Sequence, residues 1–158
     1  MKRGFTLIEI LCVLAIVSII SAISYPDVKR ILLKDRLDIT ASKLVNDLRY
    51  AKMHAVTQGT SSVSVIFLKE NSSDDYNGYW IYKPSNLSSM ELKKVYLTDE
   101  IYISRSESTF SITNKIQFNT NGSISPHACS IVLKDRQTGK SIKITLTIGY
   151  TRIMIVKR

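Results

Sequence analysis

Hydrophobic and polar positions change their spacing twice along this chain. From Phe5 to Ile23 there is almost no polar phase: FTLIEILCVLAIVSIISAI has Glu9 as its only charged residue and comes close to the ~20 apolar residues that carry a helix across a bilayer. Further on, Leu33, Leu37, Ala41, Leu44, Leu48, Ala51 and Ala55 recur at steps of four and three, which marks one apolar helical face. Lys34, Asp35, Arg36, Asp38, Lys43, Asp47 and Arg49 fill the intervening positions and predict the solvated face. Pro26 falls early in this span, where it kinks a helix rather than ending it, and Gln58-Gly59 supplies a stop. One helix from Phe5 to about Gln58 is predicted, roughly 80 Å long at 1.5 Å per residue.

From Thr60 the period drops to two. Ser62–Leu68 reads as a strand with Val63, Val65 and Phe67 on one face. Asn71–Gly78 is a turn cluster, and Tyr79–Tyr82 returns as the partner strand. After a break at Pro84-Ser85-Asn86 come Val95–Leu97, Ile101–Ile103, Ile116–Phe118, Ile124, Ile131–Leu133 and Ile142–Ile148, with a turn at Asp135–Gly139 and a last strand from about Arg152 to Val156. A long helix followed by antiparallel strands predicts an α+β fold, its sheets laid on the leucine face of the helix.

Glu9 stands out against its surroundings. A central acid costs about 2.5–3.5 kcal/mol on membrane insertion, while each Leu, Ile, Phe or Val returns about 0.3–0.6; the run outweighs one acid placed near its end. Lys2 and Arg3 precede the run, so the N-terminus is expected on the cytoplasmic side and everything after Ser24 outside. An ordinary secretory signal shares the basic start and the apolar run, and Ala22-Ile23-Ser24 offers small residues for its cleavage. Glu9 inside the run, and the run's length, stand against that alternative.

Gly4-Phe5-Thr6-Leu7-Ile8-Glu9 followed by unbroken apolar sequence resembles the class III signal of type IV prepilins and pseudopilins. The resemblance implies a pilin fold, a cut between Gly4 and Phe5 by a prepilin peptidase that also methylates Phe5, and a helix kink at Pro26. Four segments follow from it: a leader at 1–4, a transmembrane and fibre-core helix at 5–24, its amphipathic continuation at 25–58, and an exported antiparallel β domain at 59–158. Glu9 is then expected to register each subunit, because a carboxylate buried in lipid or a helix bundle needs an opposite charge and the freed α-amino group of a neighbour's Phe5 supplies one. Leu48–Val56 at the helix end, Tyr79-Trp80, Ile116-Gln117-Phe118 with Gly122, and a closing Gly-containing hairpin are similar to the GspH/FimT group of minor pseudopilins. Lys52 stands where that group more often has arginine, and Gly149-Tyr150-Thr151-Arg152 replaces its tighter Gly-Arg. Membership implies a minor subunit of a type IV pilus, competence pilus or type II secretion pseudopilus that helps to initiate or cap the fibre. Its partners are the peptidase, other pilins met through the N-terminal helix, and the cytoplasmic membrane, crossed once before the chain reaches an extracellular or periplasmic fibre.

Charge adds a second candidate role. The whole chain carries +9, and loss of Lys2 and Arg3 with the leader leaves about +7. Lys134, Arg136, Lys140, Lys143, Arg152, Lys157 and Arg158 face only Asp135 in the last stretch. If Ile142, Ile144, Leu146 and Ile148 point inward, Lys143 points out, and the hairpin tip adds to a basic rim. Such a rim can meet DNA phosphates in a salt-sensitive, sequence-independent contact, acidic polymers or an acidic neighbour, or simply favour solubility. As an alternative function, the chain is then a tip-located module contacting DNA during uptake.

Other chemistry is thin. Cys12 and Cys129 lie far apart in sequence and suit apolar filling better than a disulfide. Asp74, Asp75 and Asn77 lack the spaced ligands and distal glutamate of a calcium loop, and His54 and His127 have no partner at zinc spacing. Neither a nucleophile elbow nor a phosphate-cradling glycine loop is present. No enzyme activity, metal or cofactor is expected.

Overall fold

The helix α1 spans Leu7–Gln58 and ends where Gly59 adopts φ 60°, the left-handed conformation that closes helices without a Cβ penalty. In the computed structural model the described residues are 6–59, 61–69, 74–84, 89–110, 113–148 and 151–157, and the side chains of residues 23–35 and 157 also lie outside the description. α1 contributes to two units, Met1–Arg36 and Leu37–Arg158.

In the first unit every large apolar side chain from Leu7 to Ile20 is between 46% and 80% exposed, on all sides of the helix. The hydroxyls of Ser18 and Ser21 donate to the carbonyls of Leu14 and Val17 at 2.7 and 2.8 Å, so the polar groups of this stretch are satisfied within the helix, as an apolar medium requires. No helical stretch among the described residues is long and apolar enough to cross a membrane; the run Phe5–Ile23 in the sequence begins one residue before them. The kink expected at Pro26 falls where side chains are outside the description.

The second unit holds the core. Leu37, Ala41, Leu44, Leu48, Ala51 and Ala55 of α1 are buried, which is the stripe expected from their spacing; the side chain of Leu33, expected as its first member, lies outside the description. The strands are β1 (Val63–Lys69), β2 (Tyr76–Lys83), β3 (Met90–Tyr96), β4 (Ile101–Ile103), β5 (Lys115–Phe118), β6 (Ile124–Ser125), β7 (Cys129–Asp135), β8 (Ser141–Leu146) and β9 (Ile153–Lys157). They form one antiparallel sheet ordered β6-β5-β1-β2-β4-β7-β8-β9, with β3 as a branch on β2. The sheets anticipated in the plural are thus two halves of one ladder, joined at the single pair Tyr76–Ile103, while β3 occupies the rest of the same β2 edge from Gly78 to Lys83. Gly78 is required there: a Cβ would lie 2.5 Å from the Val95 carbonyl oxygen.

Val63, Val65 and Phe67 of β1, Ile116 and Phe118 of β5, Ile131 and Leu133 of β7, and Ile142, Ile144 and Leu146 of β8 are buried, following the period of two. Two expectations change. Ile148 is 75% exposed, because β8 stops at Leu146 and the chain turns toward β9 through the Thr147 amide, which donates to the Arg152 carbonyl. Asp47, assigned to the solvated face, is 7% exposed. At 100° per residue it sits about 80° from the centre of the apolar stripe, just beyond its border, where Tyr79 of β2 and Lys93 of β3 meet it.

Candidate interaction surfaces

The N-terminal turn of α1 is built by its own side chains. The Thr6 amide donates to Glu9 Oε2 at 3.4 Å and the Glu9 amide to Thr6 Oγ1 at 3.3 Å, the reciprocal pair of a capping box. Thr-x-x-Glu is legible in the sequence, but the membrane context draws attention to the charge alone. Gly4 and Phe5 lie outside the described residues.

Asp47 has two partners. The Tyr79 hydroxyl donates to Oδ2 at 2.6 Å and Lys93 Nζ to Oδ1 at 2.6 Å, so one carboxylate ties α1 to β2 and β3. Burial, reinforced by the hydrogen bond to Asp47, pushes the Tyr79 phenol far above its ordinary value.

The acids of the β1–β2 turn are likewise occupied by protein. Asp74 meets Lys69 at 3.0 Å and Arg105 at 3.2 Å; Lys69 first, and then Arg105, hold its carboxyl below the usual range. Asp75 accepts the Arg105 amide at 3.1 Å. No grouping of potential metal ligands occurs among the described residues.

The basic rim is not one patch. Lys134 pairs with Glu107, whose hydrogen bond raises the lysine's pKa. The Arg136 guanidinium lies 4.6 Å from the Tyr102 ring centre, a cation–π distance. The lone acid of the stretch, Asp135, is buried and accepts the amides of Gln137 and Thr138 at 2.7 and 3.1 Å, shaping the tip as a side-chain turn. Lys140 is exposed on that tip, and Lys143 is half-buried beside Glu107 and Val132 in a cavity of about 230 Å³. Arg152 is at the other end of β8, about 17–20 Å away at 3.3 Å per residue. The Lys157 side chain and Arg158 lie outside the described residues.

Arg152 joins a different group. A groove of about 470 Å³ runs between the end of α1 and the start of β9, walled by Arg49, Lys52, Met53, Val56, Arg152 and Ile153. Met53 is 60% exposed and Val56 45%, so its floor is apolar and its rim cationic. Lys52 Nζ donates to the Thr151 carbonyl at 3.1 Å, and Thr151 holds φ 39°, a left-handed conformation uncommon for a β-branched residue. Arg49 and Lys52 share a helix side by their spacing of three; their meeting with Arg152 is a tertiary event with no signal in local sequence. The groove continues along α1 past Ser42 and Asn46 against β9.

The prokaryotic N-terminal methylation motif matches residues 1–25, and the model of the type II transport protein GspH matches residues 40–149. No curated protein sequence matches significantly. Among solved structures, the type IV minor pilin FimU of Pseudomonas aeruginosa strain PAO1 is similar in two crystal forms. One has a TM-score of 0.61 at 19% identity, covering 78% of this chain and 90% of FimU; the other has 0.59 at 20%, covering 76% and 92%. At that identity the likeness establishes the α+β pilin fold. The methylation motif implies processing by a prepilin peptidase, membrane anchoring and assembly with other pilins into a pilus. With the motif at its head and the family domain over most of the remainder, the chain belongs to the GspH family as a minor type IV pilin or pseudopilin, a structural subunit and not an enzyme.

Proposed function

We propose that this chain is cut between Gly4 and Phe5, methylated on Phe5, and drawn from the membrane into a pilus-like fibre that it helps to initiate or cap. The observation that carries the reading is the methylation motif running into a helix whose apolar side chains are exposed all round. Such a surface needs lipid or neighbouring helices. Glu9 then gives each subunit its axial register against the amino group of a neighbour's Phe5, and Pro26 kinks the helix for packing. Mass spectrometry of the mature chain should show loss of residues 1–4 and a methyl group on Phe5; a chain beginning at Tyr25 would refute it.

The capping box permits a clean test of Glu9. Glu9→Gln keeps a side chain able to cap but removes the charge, whereas Thr6→Val keeps the charge and removes the cap. Registration by charge predicts that Glu9→Gln fails to enter fibres and Thr6→Val enters them. The reverse result would make Glu9 a helix-capping residue only.

A second reading places the chain at the fibre tip, in contact with DNA through the basic residues of the C-terminal half. It is favoured by Lys140 and Arg152, which stand exposed, rather than by Lys134 and Arg136, which are engaged with Glu107 and Tyr102. A Lys140/Lys143/Arg152 triple alanine variant should assemble normally yet lose DNA retention in a gel-shift assay; undiminished retention would dismiss it.

A further inference from the structure

β9 is the last strand of the sheet, and no described strand pairs with its outer edge. Antiparallel pairing turns alternate residues toward the neighbour. Because the Arg152 carbonyl accepts from Thr147, Arg152, Met154 and Val156 direct their amides and carbonyls at β8, and those of Ile153 and Ile155 face the open edge. A hydrophobic edge of this kind invites another strand unless it is blocked. This one is not blunted by proline or a bulge: Met154, Ile155 and Val156 are 36%, 37% and 44% exposed. It also borders the groove against α1, where Arg49 and Arg152 have no carboxylate paired with them among the described residues.

We infer that this edge and groove form a docking site for an extended, acidic segment of another protein, which adds as a strand to β9. Backbone bonds from Ile153 and Ile155 supply pairing, the groove takes alternate apolar side chains, and Arg49 and Arg152 receive carboxylates. Charge selects the occupant. A second copy of this chain would add its own β9, bringing Arg152 and the basic C-terminal end of one strand against cations of the other, and like charges across a strand pair are unfavourable. An acidic strand meets the same rim with complementary charge. In a fibre that segment belongs to a neighbouring subunit, so the biological setting rests on the fibre-subunit reading, while the binding itself does not.

The test uses the full chain in detergent micelles and a fluorescent extended peptide alternating valine with glutamate, with a valine–lysine peptide as control. The glutamate peptide should bind in a salt-sensitive manner and slow amide exchange at Ile153 and Ile155. Ile155→Pro removes an edge donor without removing a bond to β8 and should weaken binding at least about tenfold. Arg49→Ala with Arg152→Ala, both on the exposed rim, should weaken it by about the same factor. Equal binding of the lysine peptide, no loss in either variant, or a groove that ignores the peptide but retains duplex DNA through Arg49 and Arg152 would each overturn the inference. Any of these results with a correctly trimmed and methylated Phe5 would sink the docking site and leave the subunit reading intact.

Discussion

Removing the carboxylate of Asp47 should destabilise the β domain more than any change to the exposed charges. Asp47 is 7% exposed, its Tyr79 partner 1%, and the Lys93 side chain 39%, so the two contacts at 2.6 Å differ in worth. The half-exposed lysine pair contributes up to about 1 kcal/mol after solvent screening. The buried phenol bonded to a carboxylate contributes about 1.5–3 kcal/mol, and stranding its hydroxyl carries a desolvation cost of similar size. Asp47→Asn keeps an acceptor for Tyr79 and should cost about 1 kcal/mol. Tyr79→Phe should cost about 2 kcal/mol, and Asp47→Ala, which strands Tyr79 and frees Lys93, about 3 kcal/mol. Urea unfolding followed by Trp80 fluorescence reads these as midpoint shifts, and an Asp47→Ala/Tyr79→Phe double variant should cost clearly less than the sum of its parts. The reasoning is refuted if Asp47→Asn is as costly as Asp47→Ala, since the energy would then lie in the ion pair, or if Asp47→Ala costs less than about 0.5 kcal/mol.

Gly78→Ala forces a methyl against the Val95 carbonyl oxygen, a backbone atom that cannot rotate away, and should cost about 1–3 kcal/mol; a thermal melt unchanged from wild type would show that β3 shifts freely. Burial pushes the Cys129 thiol up to about 12 from 9.0. This acid binds its proton more tightly when folded, so its contribution is complete below about pH 9 and is lost as pH rises from there toward about 12. Wild type should therefore lose about 2 kcal/mol more than Cys129→Ala between about pH 8 and about pH 10.5, read from urea midpoints at each pH; equal losses would mean that the thiol is hydrated in the fold.

Legibility in the sequence followed the range of the interaction. The stripe from Leu37 to Ala55 and the alternation of Val63, Val65 and Phe67 are written in local spacing, and burial of one face enforces both. Sequence spacing marks β3 only from Val95, because Met90-Glu91-Leu92-Lys93-Lys94 has the composition of a surface segment: it pairs on one edge and buries only Val95. Asp47 escapes local spacing for the complementary reason. A helix wheel assigns carboxylates to solvent unless a partner is known, and Tyr79 and Lys93 are 32 and 46 residues away.

The same distinction decides what net charge can say about function. Sequence counts seven cations from Lys134 onward and suggests a single rim. Folding divides them: Glu107 takes Lys134, Tyr102 takes Arg136, and the length of β8 separates Arg152 from the hairpin tip. What Arg152 loses in basic neighbours along the chain it regains from α1, where Arg49 and Lys52 arrive with an apolar floor between them. A phosphate backbone asks only for cations at suitable spacing, whereas cations beside exposed apolar side chains and an open strand edge suit a polypeptide that brings carboxylates, side chains and amides together. The grouping of the charges, more than their excess, therefore favours a protein neighbour at the α1–β9 groove and leaves Lys140, at the opposite end of β8, as the exposed hairpin-tip cation best placed to report a separate contact with DNA.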